Sequence, residues 1–126
     1  MPYTDKVALN SPVGAPQPYN NYSYTGYHIQ LAQNERQTIF MPVQLNWNPA
    51  SIILDTPAST LIEISLSTTT KIIADMLAAN PAVDTQALWA LVNNTSSLLA
   101  IPYVCHAIRF TNVLAAPGNV IVEVLT

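Results

Sequence analysis

Two adjacent residues, Cys105 and His106, form the most reactive-looking pair in the sequence, because a thiol beside an imidazole is the basis of many nucleophilic sites. They fall on a predicted β-strand, however, where neighbouring side chains point to opposite faces of the sheet. We therefore expect no thiolate–imidazole pair and interpret Cys105 as a small buried apolar side chain. It is the only cysteine, which excludes a disulfide within the chain.

Metal sites and acid–base sites are not indicated. His28 and His106 could bind a metal, but no cluster of histidine and cysteine residues surrounds them in the sequence. The seven carboxylates form no motif, and three glycines are too few to indicate a phosphate-binding loop. We expect no catalytic residue, no metal site and no cofactor, in a protein that is not an enzyme.

Three aromatic residues are candidates for binding or packing. Trp47 and Trp89 could form a platform on which a sugar ring stacks, and this supports an alternative function as a glycan-binding module. Packing in a core or an interface is the commoner role of a tryptophan. We therefore treat Phe40, Trp47 and Trp89 as candidates for the core or for an interface.

Arg109 lies among apolar residues in the segment AIRFT, which we predict to be a strand. It could simply be a charge on the surface of a strand. It could also pair with a carboxylate such as Glu63 or Glu123 on an adjacent strand, and so fix the register or a subunit contact.

Charged residues are scarce, and this limits the partners of the chain. Among 126 residues there are four Lys and Arg and seven Asp and Glu, or 9%, against about 25% in ordinary domains. Four cations at a net charge of −3 form no basic patch, so we expect no nucleic acid as a partner. No apolar run approaches the ~18 residues of a membrane helix, so we expect no membrane partner either.

Two long stretches, residues 37–54 and 85–108, contain no Lys, Arg, Asp or Glu. One interpretation is a core with a surface of Ser and Thr. The interpretation that we favour is a subunit whose surface is largely interface, because the centres of interfaces are depleted in charge. A homo-oligomer is therefore expected.

Residues 1–27 differ from the rest, because they hold five of the six tyrosines and four of the ten prolines. Proline forbids helix here, and tyrosine brings a large contact area with few rotatable bonds. We predict an extended arm that docks on a neighbouring subunit, with a disordered tail as the alternative. No apolar segment typical of a signal peptide occurs in it. Its interface candidates are Tyr3, Tyr19, Tyr22, Tyr24 and Tyr27.

From residue 28 onward, apolar residues alternate with polar ones at the period of a β-strand. Seven or eight short strands with turns every 8 to 12 residues predict an antiparallel β-sandwich, jelly-roll-like, over residues 28–126. Pro42 would place its strand at an edge or a bulge. The predicted strands begin near residues 28, 38, 51, 60, 86, 103 and 119.

The middle of the chain is ambiguous. Ile72, Ile73, Met76 and Leu77 have helical spacing, which favours a short helix near 71–79. The segment near 86–93 fits either a strand, which we favour, or a second short helix. The last two strands, 103–113 and 119–125, are separated by a turn and predict a hairpin.

Several segments together resemble small β-sandwich virion proteins of tailed bacteriophages. In that family a Trp-bearing segment precedes a strand of the form P-x-x-x-x-AIR-x-T, which pairs with a closing strand G-x-V-x-V-x-V. The resemblance covers residues 37–126, while the helix-prone insert near 70–85 and the Tyr/Pro arm depart from it. It is carried by MPVQLNWNPASIIL, TLIEISLSTT, ALWALVN, SSLLAIPYVCHAIRFTN and PGNVIVEVLT.

This resemblance implies a particle-building protein located in the virion and made in the host cytoplasm. We expect a capsid decoration (cement) protein, trimeric, that stabilises the head by bridging capsid subunits. Its partner would be the major capsid protein or another virion protein. A tail, neck or head-fibre component is the nearest alternative.

Overall fold

Eight strands form two antiparallel sheets that pack face to face. The structure is a computed structural model, which describes residues 4–5, 17–19, 22–24, 26–41, 50–77, 86–92, 96–101 and 105–125. The sandwich strands are β4 (Gly26–Leu31), β5 (Glu35–Phe40), β6 (Ala50–Leu54), β7 (Thr60–Ser65), β8 (Ala90–Val92), β9 (Leu98–Ile101), β10 (Ala107–Asn112) and β11 (Val120–Leu125). The described part also contains one α-helix, α1 (Thr69–Met76), and three short strands, β1 (Thr4–Asp5), β2 (Gln17–Tyr19) and β3 (Tyr22–Tyr24).

The strand order is that of a jelly roll. One sheet has the order β4-β11-β6-β9 and is called the β11 sheet; the other has the order β5-β10-β7-β8 and is called the β10 sheet. If β4 to β11 are counted from one to eight, the two orders are 1-8-3-6 and 2-7-4-5, which is the double Greek key of jelly rolls. The predicted fold class, an all-β antiparallel sandwich with one short helix, is confirmed.

The core between the sheets comes from the period-two pattern of the strands. In β4, Ile29 and Leu31 are buried, while His28 before them and Gln30 between them are exposed. In β11, Val120, Val122 and Val124 point inward in the same way. Each strand therefore contributes alternate side chains to a single apolar layer, in which Phe110 of β10 is the largest buried side chain.

The predicted hairpin between the last two strands is wrong. β10 pairs with β5 and β7 in one sheet, whereas β11 pairs with β4 and β6 in the other. The chain therefore crosses between the sheets after Asn112, whose buried amide donates to the carbonyls of Leu31 and Gly118 at 2.9 and 3.0 Å. Alternation specifies which face of a strand is apolar, but it does not specify the neighbouring strand.

Helix α1 lies where helical spacing predicts it, although it runs from Thr69 to Met76 rather than over 71–79. Thr68 is its N-cap and accepts a hydrogen bond from the Lys71 amide. The strand predicted near 86–93 is shorter in the structure, where β8 comprises Ala90–Val92 and residues 86–92 contain no helix.

Part of the predicted arm is described, and it consists of extended segments. β1 pairs in parallel with β5, and β2 pairs with β3. β4 begins at Gly26, two residues before the predicted start at His28, so Tyr27 lies in the sandwich opposite Val124 and not in the arm. Tyr19, Tyr22 and Tyr24 fall in β2 and β3, while Tyr3, Pro42 and Trp47 lie outside the described residues.

Candidate functional site

Several of the few charges of the chain lie inside the fold. The structure describes eight Lys, Arg, Asp and Glu side chains, and three of them, Arg36, Asp75 and Arg109, are no more than 3% exposed. The surface of the described residues is therefore even poorer in charge than the sequence. Its remaining side chains must interact with water or with partners chiefly through apolar and neutral polar groups.

Arg109 forms the cross-strand ion pair that one of our alternatives predicts. It lies directly opposite Glu63 in the pairing of β10 with β7. The Arg109 Nη2 and Nε groups donate to Glu63 Oε1 at 2.9 and 3.1 Å. The two side chains are 3% and 18% exposed, so the pair stabilises the register of the β10 sheet. Glu123, the other predicted partner, lies in the opposite sheet.

Trp89 stacks on the same arginine. The Arg109 Cζ atom lies 3.9 Å from the centre of the Trp89 ring, within the range of a cation–π contact. Trp89 and Phe40 are partly buried in a second apolar cluster outside the sandwich core, which is centred on Ile72, Ala87 and Ala107. Both aromatic candidates therefore pack inside the molecule, and one face of Trp89 is covered.

Buried polar groups hold the segment before β8 in this position. The Asp75 carboxylate of α1, 1% exposed, accepts hydrogen bonds from the amides of Gln86 and Ala87 at 3.0 and 2.8 Å. The Ser67 hydroxyl accepts another from the Leu88 amide. These amides bond to side chains rather than to β7, which explains why the strand begins only at Ala90.

Cys105 and His106 point to different parts of the molecule, although both precede β10 instead of lying in the strand that the sequence predicts from residue 103. Cys105 is buried in the sandwich core, and burial raises the pKa of its thiol. His106 lies near α1, with Nδ1 2.6 Å from the Ser67 carbonyl and Nε2 2.9 Å from the Thr69 hydroxyl. Its ring also makes an edge contact with Phe40. Both ring nitrogens thus have structural partners, and the two residues do not form a nucleophilic pair.

The outward side of the β11 sheet, which we call the β11 outer face, is open. One row of side chains crosses it from strand to strand, in the order His28, Glu123, Ile53 and Leu98. His28 and Glu123 are joined by an exposed hydrogen-bond contact, with Nδ1 and Oε1 3.3 Å apart. Ile53 and Leu98 are 53% and 64% exposed, so the row is polar at one end and apolar at the other.

A groove of about 540 Å³ lies along this row on the β11 outer face. The next row contains Gly26, Leu125 and Ser51, and the small size of Gly26 and Ser51 leaves space beside the larger leucine. Leu125 is half-exposed. Tyr27 also lines the groove, and burial raises the pKa of its phenol. The groove offers an apolar floor with one imidazole–carboxylate pair at its side.

A second apolar region lies around β7 and β8. Leu66, Leu88 and Leu91 are 74%, 84% and 66% exposed. The first two line a hollow of about 390 Å³ together with Trp89 and Ala90. Large apolar side chains in such groupings mark surfaces that bind other molecules.

These exposed residues are not among the sites predicted from the sequence. Ile52 and Ile53 are adjacent, as are Leu98 and Leu99, and neighbours on a strand face opposite ways. One member of each pair must therefore point away from the core. Consecutive large apolar residues in a short strand were the signal that could have identified the open face.

Other kinds of site are not found within the described residues. No group of three or more His, Cys, Asp and Glu side chains in those ranges is arranged to hold a metal ion. The described part of the chain also contains no helix with the length and apolarity needed to span a membrane. Comparison with models of protein families, with curated proteins and with solved structures gave no match.

Proposed function

We propose that this chain is a non-enzymatic structural protein of a bacteriophage virion, and specifically a capsid decoration (cement) protein. It would dock on the head through the β11 outer face and bridge subunits of the major capsid protein. The observation that carries the proposal is the open apolar face itself, with Ile53, Leu98 and Leu125 exposed around a groove of about 540 Å³.

The scarcity of surface charge supports docking. An isolated soluble domain generally intersperses charges of both signs over its surface. Among the described charged side chains, only Asp55, Lys71 and Glu123 are exposed. A particle subunit differs from an isolated domain because its faces are covered by neighbours, which makes exposed aliphatic groups tolerable and useful.

The virion assignment rests on the bacteriophage resemblance and on the architecture. Jelly rolls are frequent among viral capsid proteins and lectins, although a fold alone does not determine a function. Of the two, particle building agrees better with the packing of Trp89, whose ring is stacked against Arg109. Glycan binding through that ring could use only its other face, because the guanidinium covers the first.

The occupant that fits the groove is an apolar segment of a capsid subunit. An aliphatic side chain can lie between Ile53 and Leu125, while a polar group of the same segment can bond to the His28–Glu123 pair at the side. A contact of this kind depends little on ionic strength. Binding should therefore persist at roughly 1 M salt, where the Debye length falls to about 3 Å.

The experiment uses particles purified from a culture that carries the gene, and measures by antibody whether the full chain sediments with them. Ile53→Lys is the test variant, because Ile53 lies opposite Glu123 and a lysine there gains a cross-strand partner. It should fold as the wild type does but bind the particles at least tenfold more weakly. Val113→Lys, on the connection between β10 and β11, should bind like the wild type.

Two outcomes overturn the proposal. One is a chain that stays at the top of the gradient while the particles sediment. The other is an Ile53→Lys variant that folds and binds as well as the wild type. Antibody labelling of the tail or neck instead of the head would indicate a tail or neck component and would contradict a role in decorating the capsid.

A further inference from the structure

Each sheet of the sandwich has an outermost strand on the same side of the molecule. β8 ends the β10 sheet and β9 ends the β11 sheet. Only five residues separate Val92 of β8 from Leu98 of β9, so the two edges lie close to one another. An outermost strand presents backbone N–H and C=O groups along its outer side, which makes it a template for pairing with another chain.

The two sides of the sandwich are protected very differently. On the opposite side, β5 begins with Glu35 and is extended by β1, while β4 carries His28. Proteins commonly protect edge strands by short length, charged residues, proline or a covering segment. β8 and β9 are short, with three and four residues. The sequences of β8 and β9, ALV and LLAI, contain no charged residue and no proline.

Exposed leucines flank these two edges. Leu91 pairs in register with Glu63 and is 66% exposed on the outward side of the β10 sheet. Leu98 pairs with Ile53 and is 64% exposed on the outward side of the β11 sheet. Among the described residues no strand pairs with the outer side of β8 or β9, so these edges are bare there, and apolar side chains border them on both outer faces of the sandwich.

We propose that this side, the β8/β9 edge, pairs with the same edge of a second copy of the chain. The pairing is antiparallel around a two-fold axis, so that β8 continues into β8 of the other copy and β9 into β9. Centring the axis on Leu91 places Ala90 of each copy opposite Val92 of the other. The two Leu91 side chains then lie against each other.

A second copy is the occupant that the charges favour. Around a two-fold axis each residue meets its own counterpart, so that any charge near the axis would face a like charge. The β8 and β9 strands contain no charged residue in a chain whose net charge is −3, so a two-fold contact between them brings no like charges of these strands together. A charged partner would find no group of opposite sign on either strand.

This inference deepens the proposed function, because it names the contact between copies on the particle. It also gives that contact a definite symmetry. Antiparallel pairing of a strand with itself produces a two-fold dimer, whereas the trimer that the resemblance implies needs a head-to-tail contact between different patches. The bare, uncharged edge favours the dimer.

The experiment is sedimentation equilibrium of the full chain without particles. The wild type should show a concentration-dependent equilibrium between the 13.7 kDa chain and a species of twice that mass. Leu91→Lys places two like charges together at the axis and should raise the dissociation constant at least tenfold. Leu98→Lys is the second test variant, and a fall in dimer affinity for either folded variant supports the pairing.

Leu125→Lys is the matched control, because Leu125 is half-exposed on β11, two strands away from the edge. It should dimerise like the wild type. The proposal is overturned if the wild type is monomeric or trimeric at every concentration. It is also overturned if the folded edge variants dimerise like the wild type, or if Leu125→Lys weakens dimerisation as much as they do. A monomer that still binds particles contradicts the edge pairing alone, whereas a dimer that ignores particles contradicts only the proposed function.

Discussion

Removal of one partner from the ion pair of Arg109 and Glu63 should cost much of the stability of the fold. The two side chains are 3% and 18% exposed and are joined by two hydrogen bonds of 2.9 and 3.1 Å. Breaking a buried pair costs about 3–5 kcal/mol, because a charge is left without compensation. Since water reaches part of the Glu63 carboxylate, we expect Glu63→Gln to lower the free energy of unfolding by about 2–3 kcal/mol.

Urea unfolding followed by tryptophan fluorescence measures this loss, because the Trp89 ring lies against Arg109 and reports on the site directly. With an m value of about 2 kcal/mol/M, the midpoint should fall by about 1–1.5 M. Glu123→Gln is the matched control. Its carboxylate is 60% exposed in the pair with His28, and exposed pairs contribute less than about 1 kcal/mol.

A double-mutant cycle tests the reason for the loss. In an Arg109→Met background there is no buried cation to leave unpaired, so Glu63→Gln should then cost less than about 1 kcal/mol. An equal loss in both backgrounds would refute the reasoning. So would a loss in the wild-type background no larger than that of Glu123→Gln.

Three further predictions concern buried groups. Asp75→Ala leaves the amides of Gln86 and Ala87 without their acceptor and should cost about 2–4 kcal/mol in urea unfolding, with faster amide exchange at both residues. Asn112→Ala removes the buried amide that joins the two sheets after β10 and should lower the free energy of unfolding by about 2–3 kcal/mol in the same assay. Asn112→Asp should lose at least as much stability, because a carboxylate cannot donate these two hydrogen bonds. Burial raises the pKa of the Cys105 thiol, so the stability contributed by its neutral form is complete below the unfolded pKa of about 8.5 and is lost as the pH rises through the higher folded pKa. Urea midpoints of the wild type should therefore fall more than those of Cys105→Ala between about pH 8 and pH 10, and equal slopes would contradict this.

Local patterns predict most strands and their inward faces, although β5 begins at Glu35 and not near residue 38, and β10 begins at Ala107 and not near residue 103. Alternation in β4 and β11 identifies Ile29, Leu31, Val122 and Val124 as core residues, and helical spacing identifies α1 around Ile72. These inferences succeed because the periods of strand and helix are properties of a few neighbouring residues.

Strand partners and outer faces are less predictable. β10 and β11 are neighbours in the sequence but belong to different sheets, because their inner apolar rows face each other across the core. Ile53 was not identified as exposed, because its neighbour Ile52 is equally apolar and only the register with β11 decides which of them faces outward. Contacts between residues far apart in the sequence determine both features.

The pairing of Arg109 with Glu63 is an intermediate case. The sequence leaves Arg109 as either a surface charge or the partner of a cross-strand carboxylate, and it leaves Glu63 and Glu123 as equal candidates for that carboxylate. The jelly-roll order decides between them, because it places β7 beside β10 and β11 in the other sheet. The candidate docking face depends on the same order, which brings Ile53, Leu98 and Leu125 together from three strands.

The most direct test of the proposed function is electron cryo-microscopy of particles from a culture that carries the gene. Docking through the β11 outer face predicts a jelly roll on the outer surface of the head, with Ile53 and Leu125 against the capsid subunits. Particles without the jelly roll, or a jelly roll on the head whose β11 outer face points to solvent, would contradict the proposal.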